Sequence, residues 1–147
     1  MISQKGFTLI ELMVVLIIIG IASSLVFISM GRGVFSAKEK GLVKDLGQRL
    51  SEARTRSIGQ GRPVYFLIYG DERAFGIANE KKTPIPEDVE VRGIGVEDYE
   101  EGIYAILFYP DGSSSGGTII LSMPGGNTYY FKIDRFFGGI SLETEQD

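Results

Sequence analysis

The stretch Lys5-Gly6-Phe7-Thr8-Leu9-Ile10-Glu11-Leu12 runs directly into Met13-Val14-Val15-Leu16-Ile17-Ile18-Ile19-Gly20-Ile21-Ala22-Ser23-Ser24-Leu25-Val26-Phe27-Ile28-Ser29-Met30. From Leu12 to Met30 there is no charged residue, and the only polar side chains are small. As a helix rising about 1.5 Å per residue, this stretch spans roughly 28 Å, close to the thickness of a bilayer's hydrocarbon core. A helix apolar on every side could instead be buried in a protein core, but that requires a much larger protein than 147 residues provide. A secretory signal peptide would carry an apolar run of only about 7–15 residues and end in a small-residue cleavage site. The segment therefore reads as a membrane-spanning helix, lengthened at its start by Phe7 to Ile10. Its flanks do not orient it, because Lys5 precedes the span while Arg32, Lys38 and Lys40 follow it.

Two features at the start of this helix need their own explanation. Glu11 places a carboxylate at the edge of the apolar run, where an intramembrane acid carries a free-energy cost that a partner usually offsets. A snorkelling residue at the end of the span is the simpler alternative. Gly6-Phe7 marks the junction between a polar hexapeptide and the apolar helix, a backbone that a protease can reach. With these residues in place, Lys5 to Leu12 resembles the processing site of type IV prepilins and type II secretion pseudopilins. The resemblance implies cleavage between Gly6 and Phe7 by a membrane prepilin peptidase, and methylation of the new Phe7 amine. It also implies that Glu11 pairs with the N-terminal amine of a neighbouring subunit. Such a pair would set axial register and offset the cost of two buried charges. The same resemblance orients the chain, with the leader in the cytoplasm and the C-terminus outside the inner membrane.

Composition narrows the chemistry. The chain has no cysteine and no histidine, which removes disulfides, thiolate ligands, the commonest general base and the commonest transition-metal ligand. No catalytic residue, metal site or cofactor is expected. The net charge of −4 is unevenly spread. Residues 31–62 carry eight basic and three acidic side chains, whereas fifteen acidic and six basic residues follow from Pro63 onward. An acidic domain of this kind favours solubility and disfavours nucleic acid.

After Gly31-Arg32-Gly33, where two glycines weaken a helix and favour a bend or melted stretch, apolar spacing resumes. Leu42, Leu46, Leu50, Ala53 and Ser57 recur at helical intervals, widened by Val43 and Ile58, and Gly59-Gln60-Gly61-Arg62-Pro63 ends the pattern. The opposite face carries Lys38, Lys40, Lys44, Arg49, Arg54 and Arg56, interrupted by Glu39, Asp45 and Glu52. Lipid, acidic subunits and nucleic acid are its possible partners, and a solvated face is the plainer account. Nucleic acid is disfavoured because no aromatic residues interleave with the charges.

Beyond Pro63 short β-type runs follow one another: Val64 to Tyr69, Ala74 to Ala78, Val89 to Arg92, Tyr104 to Tyr109, Thr118 to Met123 and Thr128 to Asp134. Gly70-Asp71-Glu72 and Pro124-Gly125-Gly126-Asn127 read as hairpin turns, the second joining an antiparallel pair. Residues 83–88 and the acidic tract 97–101 read as exposed loops. Pro110-Asp111-Gly112-Ser113-Ser114-Ser115-Gly116-Gly117 lacks the lysine of a phosphate-binding loop, a base for a serine nucleophile and companions for Asp111 as a calcium ligand.

That turn between two strands resembles the C-terminal domain of the GspH/FimT family of minor pseudopilins and minor type IV pilins, and with the N-terminal motif the resemblance covers nearly the whole chain. Members often place Thr-Gly-Arg before the final strand, where this chain has Arg135-Phe136-Phe137-Gly138-Gly139-Ile140. Phe136 and Phe137 are expected to anchor the last strand in the core, with an exposed contact surface as the alternative.

The resulting expectation is an α+β, type IV pilin-like chain whose long helix, half transmembrane and half amphipathic, packs on a small antiparallel β-sheet domain. Its parts are a leader (1–6), a transmembrane and filament-core helix (7–30), an amphipathic continuation (31–62) and a periplasmic β-rich domain (63–147). The resemblance implies a non-enzymatic minor pseudopilin of type II secretion at or near a filament tip. Its implied partners are prepilin peptidase, other pseudopilins or pilins, the inner-membrane assembly platform and membrane lipid. The alternatives are a minor pilin priming a type IV pilus, a DNA receptor on an uptake pilus and a membrane-anchored periplasmic enzyme.

Overall fold

The computed structural model describes residues 9–146, with side chains at 9–21 and 37–145. Helix α1 (Leu9–Gln60) is assigned without interruption through Gly31-Arg32-Gly33, so the melted stretch expected there does not occur. The chain divides into two compact units, one ending at Lys38 and the other beginning at Glu39. In the first unit every residue from Leu9 to Ile21 is exposed and all but Glu11 are uncharged, so an almost wholly apolar helix surface faces outward. Among the described residues no helix is long and apolar enough to cross a membrane. The apolar run in the sequence continues over residues 22–30, whose side chains lie outside the description.

In the second unit the stripe on α1 packs as its spacing predicts. Leu42, Val43, Leu46, Leu50, Ala53 and Ser57 are all buried, whereas Ile58 is 47% exposed and does not belong to the stripe. Gly61, at φ 63°, ends the helix in the left-handed conformation that glycine adopts without a Cβ penalty.

Among the described residues, nine strands form two antiparallel sheets. They are β1 (Val64–Tyr69), β2 (Ala74–Ile77), β3 (Thr83–Pro84), β4 (Glu90–Ile94), β5 (Glu97–Glu100), β6 (Ile103–Phe108), β7 (Gly117–Ser122), β8 (Asn127–Ile133) and β9 (Ile140–Gln146). The first sheet has the order β3-β2-β1-β6-β5 and the second β4-β7-β8-β9. The tract 97–101, expected as a loop, instead contributes β5. It is an edge strand exposed along its whole length, so its carboxylates stay in water while its backbone pairs with β6. Acidic side chains on a free edge also discourage strand addition. The short β3 likewise falls in an expected loop.

Inner-facing residues of both sheets meet α1 in one core. Phe66, Phe75, Ile106 and Phe108 come from the first sheet and Ile119, Leu121 and Phe131 from the second, packed with Leu46 and Leu50. Helix and second sheet approach closely at Gly47, where a Cβ would lie 3.3 Å from the Phe131 ring. The turn Pro124-Gly125-Gly126 closes the β7–β8 hairpin, with Met123 N–H donating to Asn127 O at 2.9 Å.

Phe136 and Phe137 are not core anchors. They are 79% and 77% exposed, on the connection between β8 and β9. The anchor of that connection is Gly138, at φ 57°, where an added Cβ would collide with the Gly112 carbonyl oxygen. Gly138→Ala is expected to lower stability by about 1–3 kcal/mol in denaturant titrations. Gly139→Ala, facing open space, should change it by no more than about 0.5 kcal/mol.

Candidate functional site

Of the expected site residues, Gly6 and Phe7 lie outside the described residues. Glu11 lies on α1 and is exposed. The processing and methylation expected from the sequence would act upstream of it, outside the described residues.

The basic face of α1 is largely committed to contacts within the chain. Glu80, on the segment after β2, lies against Arg49 and Arg56, and Glu52 bridges the same two arginines from within the helix. The two carboxylates thus offset both guanidinium charges, and the hydrogen bonds that Arg56 donates to Glu52 and Glu80 raise its pKa above the usual arginine value. Arg54 points elsewhere and donates from Nε to Phe137 O at 3.2 Å and to Gly112 O at 3.4 Å. Lys40 and Lys44 are exposed and in no ion pair among the described residues.

The serine-rich turn is a structural knot. Ser113 donates from its backbone N–H and its hydroxyl to Asp111 Oδ1, at 2.9 and 2.6 Å. These two bonds hold the Asp111 carboxyl below its ordinary range, with the hydroxyl's contribution the larger. Ser114 donates to Asp134 O and accepts from Gly116 N–H, while Ser115 Oγ accepts from Leu107 N–H. Buried Ser57 lies 2.8 Å from Arg54 O and 3.1 Å from Tyr109 O, one hydroxyl proton serving both acceptors. Every serine hydroxyl of the turn is thus engaged locally, Ser113 with the Asp111 carboxylate and Ser114 and Ser115 with backbone groups. Among the described residues no group of His, Cys, Asp or Glu is placed to hold a metal ion.

Two arginines gave no signal in the sequence beyond their charge. Arg73, left-handed at φ 47°, donates from one guanidinium nitrogen toward the carbonyls of Pro86, Glu87 and Val89 and so fastens the loop before β4. Arg135 donates from Nε to Ser115 O at 3.1 Å. A groove of about 860 Å³ opens between α1 and β8–β9, its floor formed by Val43, Gly47, Tyr129, Phe131, Ile140 and Leu142. Lys40 and Lys44 stand on its rim.

Comparison with known proteins places this geometry. A family profile described as the prokaryotic N-terminal methylation motif matches residues 1–27. Type II secretion system protein H of Escherichia coli K12 is 31% identical over 127 residues, covering 81% of this chain and 74% of that protein. Type II secretion system protein H of Xanthomonas campestris pv. campestris is 28% identical over 121 residues, covering 81% of this chain and 72% of that one. In fold, the chain is similar to the type IV minor pilin FimU of Pseudomonas aeruginosa, at TM-score 0.51 and 16% identity, over 71% of this chain and 91% of FimU.

Because Arg49 and Arg56 are neutralised in place, the purified protein should bind duplex DNA weakly or not at all at physiological salt. Submicromolar affinity in fluorescence anisotropy, lost on replacing Arg49, Arg54 and Arg56, would contradict this. The Asp111–Ser113 contact stabilises only while Asp111 is ionised. Its contribution should be complete at pH 7 and disappear as pH falls through the lowered Asp111 pKa. In melting curves the difference between wild type and Asp111→Ala should therefore shrink on going from pH 7 to strongly acidic buffer.

Proposed function

The chain belongs to the type II secretion system protein H family, whose members are minor pseudopilins, and from that premise we propose how its own residues serve assembly. The family consists of filament components that assemble with other pilin-like subunits rather than of enzymes, and its fold is that of the type IV minor pilins. The observation that carries the reading is the methylation motif over residues 1–27 joined, in one chain, to a domain related to protein H along most of its length.

In this proposal prepilin peptidase cuts between Gly6 and Phe7 at the inner-membrane surface, and the Phe7 amine is methylated. The apolar helix holds the subunit in the membrane as a single span, with residues 63–147 in the periplasm. The inner-membrane assembly platform then extracts the subunit into a short pseudopilus, at or near its tip, supporting export of folded proteins. Glu11 receives the Phe7 ammonium of a neighbouring subunit. Both charges leave water when the helices pack, and each lowers the other's desolvation cost only if the helices meet in one axial register. The FimU likeness is compatible with a minor pilin that primes a type IV pilus, but it extends to the fold alone, whereas both protein H relatives favour secretion.

Mass spectrometry of the membrane-extracted protein should show a chain beginning at a methylated Phe7; a mature chain retaining Met1 to Gly6 would overturn the processing step. Glu11→Leu should leave insertion and cleavage intact but lower filament incorporation by more than about a hundredfold, because stranding one partner of a buried pair costs about 3–5 kcal/mol. Unchanged incorporation, with the Phe7 amine present, would reject the pairing.

A further inference from the structure

The second sheet ends in the open at β4. Its order is β4-β7-β8-β9, so β4 pairs with β7 on one side, and among the described residues no strand pairs with it on the other. A cleft of about 540 Å³ runs along that side. Val91 and Gly93 stand opposite the buried Leu121 and Ile119 and share their inner face, whereas Arg92 and Ile94 stand opposite Ile120 and Thr118 on the outer face. Residues of both faces line the cleft, so what borders it is the edge of the strand, with its row of unpaired backbone groups.

The far wall of the cleft is the end of the first sheet. Tyr104 stands opposite Ile68, a core residue, and so shares its inner face, yet it is 41% exposed, because the second sheet stops at β4 before covering it. Ile94, on the near wall, is 62% exposed. The cleft is preformed, since Arg73 Nη2 ties down the loop before β4 through the carbonyls of Pro86, Glu87 and Val89. Arg73 Nε is buried without a hydrogen-bond partner. Arg73 and Arg92 both line the cleft, and no carboxylate does. Arg92 meets Glu90 at 3.3 Å, but both side chains are more than two-thirds exposed, and a pair so exposed holds the arginine weakly. The other edges are guarded against pairing: β3 has two residues, one a proline, β5 carries Glu97, Asp98 and Glu100, and β9 carries Glu143 and Glu145.

An unpaired strand edge, an uncovered apolar wall and two cations specify one kind of occupant. We propose that β4 is a strand-addition site, in which an extended segment of a different pilin-like subunit pairs with its free edge, apolar side chains covering Tyr104 on the inner face and a carboxylate across from Arg92 on the outer face. A second copy of this chain fits less well, because an antiparallel β4–β4 pair centred on the strand sets Arg92 opposite Arg92. The identity of the partner rests on the filament reading, in which this subunit assembles with other pilin-like chains. A five-residue strand, about 16 Å long, makes a small contact, so it operates where membrane anchors already hold subunits at high local concentration.

The test of the site uses the full-length protein in detergent and a capped hexapeptide that alternates valine with threonine, one central threonine replaced by aspartate. Hydrogen exchange read residue by residue should slow about tenfold at alternate amides of residues 90–94 when the peptide saturates. The same peptide N-methylated along its pairing edge should slow none of them. Arg92→Glu should remove most of the slowing, and a peptide with lysine in place of aspartate should restore it. No slowing with the parent peptide, or equal slowing with the methylated one, overturns strand addition. Equal slowing of the wild type by the aspartate and lysine peptides overturns the acidic partner. Slowing that grows with protein concentration in the absence of peptide assigns the edge to a second copy and overturns the proposal. In cells expressing the other filament subunits, a photoreactive benzoylphenylalanine in place of Ile94 should crosslink to a pilin-like subunit of another kind; crosslinks confined to copies of this chain or to an exported protein overturn that partner. Failure of the wild-type chain to sediment with sheared filaments overturns the filament reading itself, and leaves the peptide result standing.

Discussion

The second unit depends on one constraint, which is that a single helical face must be buried by two sheets at once. Leu46, Leu50, Ala53 and Ser57 have essentially no exposure, and residues from both sheets surround them. Neither sheet covers the helix alone, so the sheets must be held at a fixed mutual angle. The serine-rich turn does this by carrying the chain from β6 to β7, from one sheet to the other, while bonding backward to Leu107 and forward to Asp134 and Arg135. Burying Ser57 at the end of the stripe costs little because its hydroxyl has two carbonyls within reach.

Much of this was legible in the sequence where one period dominated. The helical spacing from Leu42 to Ser57 named the buried face, and the alternating runs named β1, β2, β6, β7 and β8 within a few residues. What escaped were elements defined by their neighbours. β5 is a run of charges with no apolar face, and only the backbone of β6 makes it a strand. Ile58 has the right chemistry for the stripe but stands at the helix end, beside Gly112, where no sheet covers it. Phe136 and Phe137 were misread because their hydrophobicity says that they seek burial without saying whether their own chain supplies it. For the candidate site, Glu11 and Gly6-Phe7 are singled out by motif alone, whereas the ties made by Arg54 and Arg73 depend on contacts far apart in sequence.

Electrostatics follows the same division. A helix that reads as a basic stripe is, in three dimensions, two arginines neutralised by Glu52 and Glu80, one arginine turned to carbonyl oxygens, and three exposed lysines, Lys38, Lys40 and Lys44, in no ion pair among the described residues. Formal charge along the sequence therefore overstates the positive potential at the upper part of the helix and describes it well at Lys40 and Lys44. Exposed pairs of this kind add little stability individually, but a shared pair of carboxylates also fixes the segment after β2 against the helix.

The hydrogen bonds at the end of α1 have a mechanical meaning. Arg54 and Ser57 tie the last helical turns to Gly112, Tyr109 and Phe137, three points on two different connections. A force entering this unit along the helix at Glu39 would meet lateral apolar packing over several turns and then this clamp, so that many weak contacts are loaded together and none can peel away first. Resistance to traction is governed by the rate of unfolding rather than by equilibrium stability. A unit built in this way can be thermodynamically ordinary and still transmit a pull or a push through its helix without coming apart.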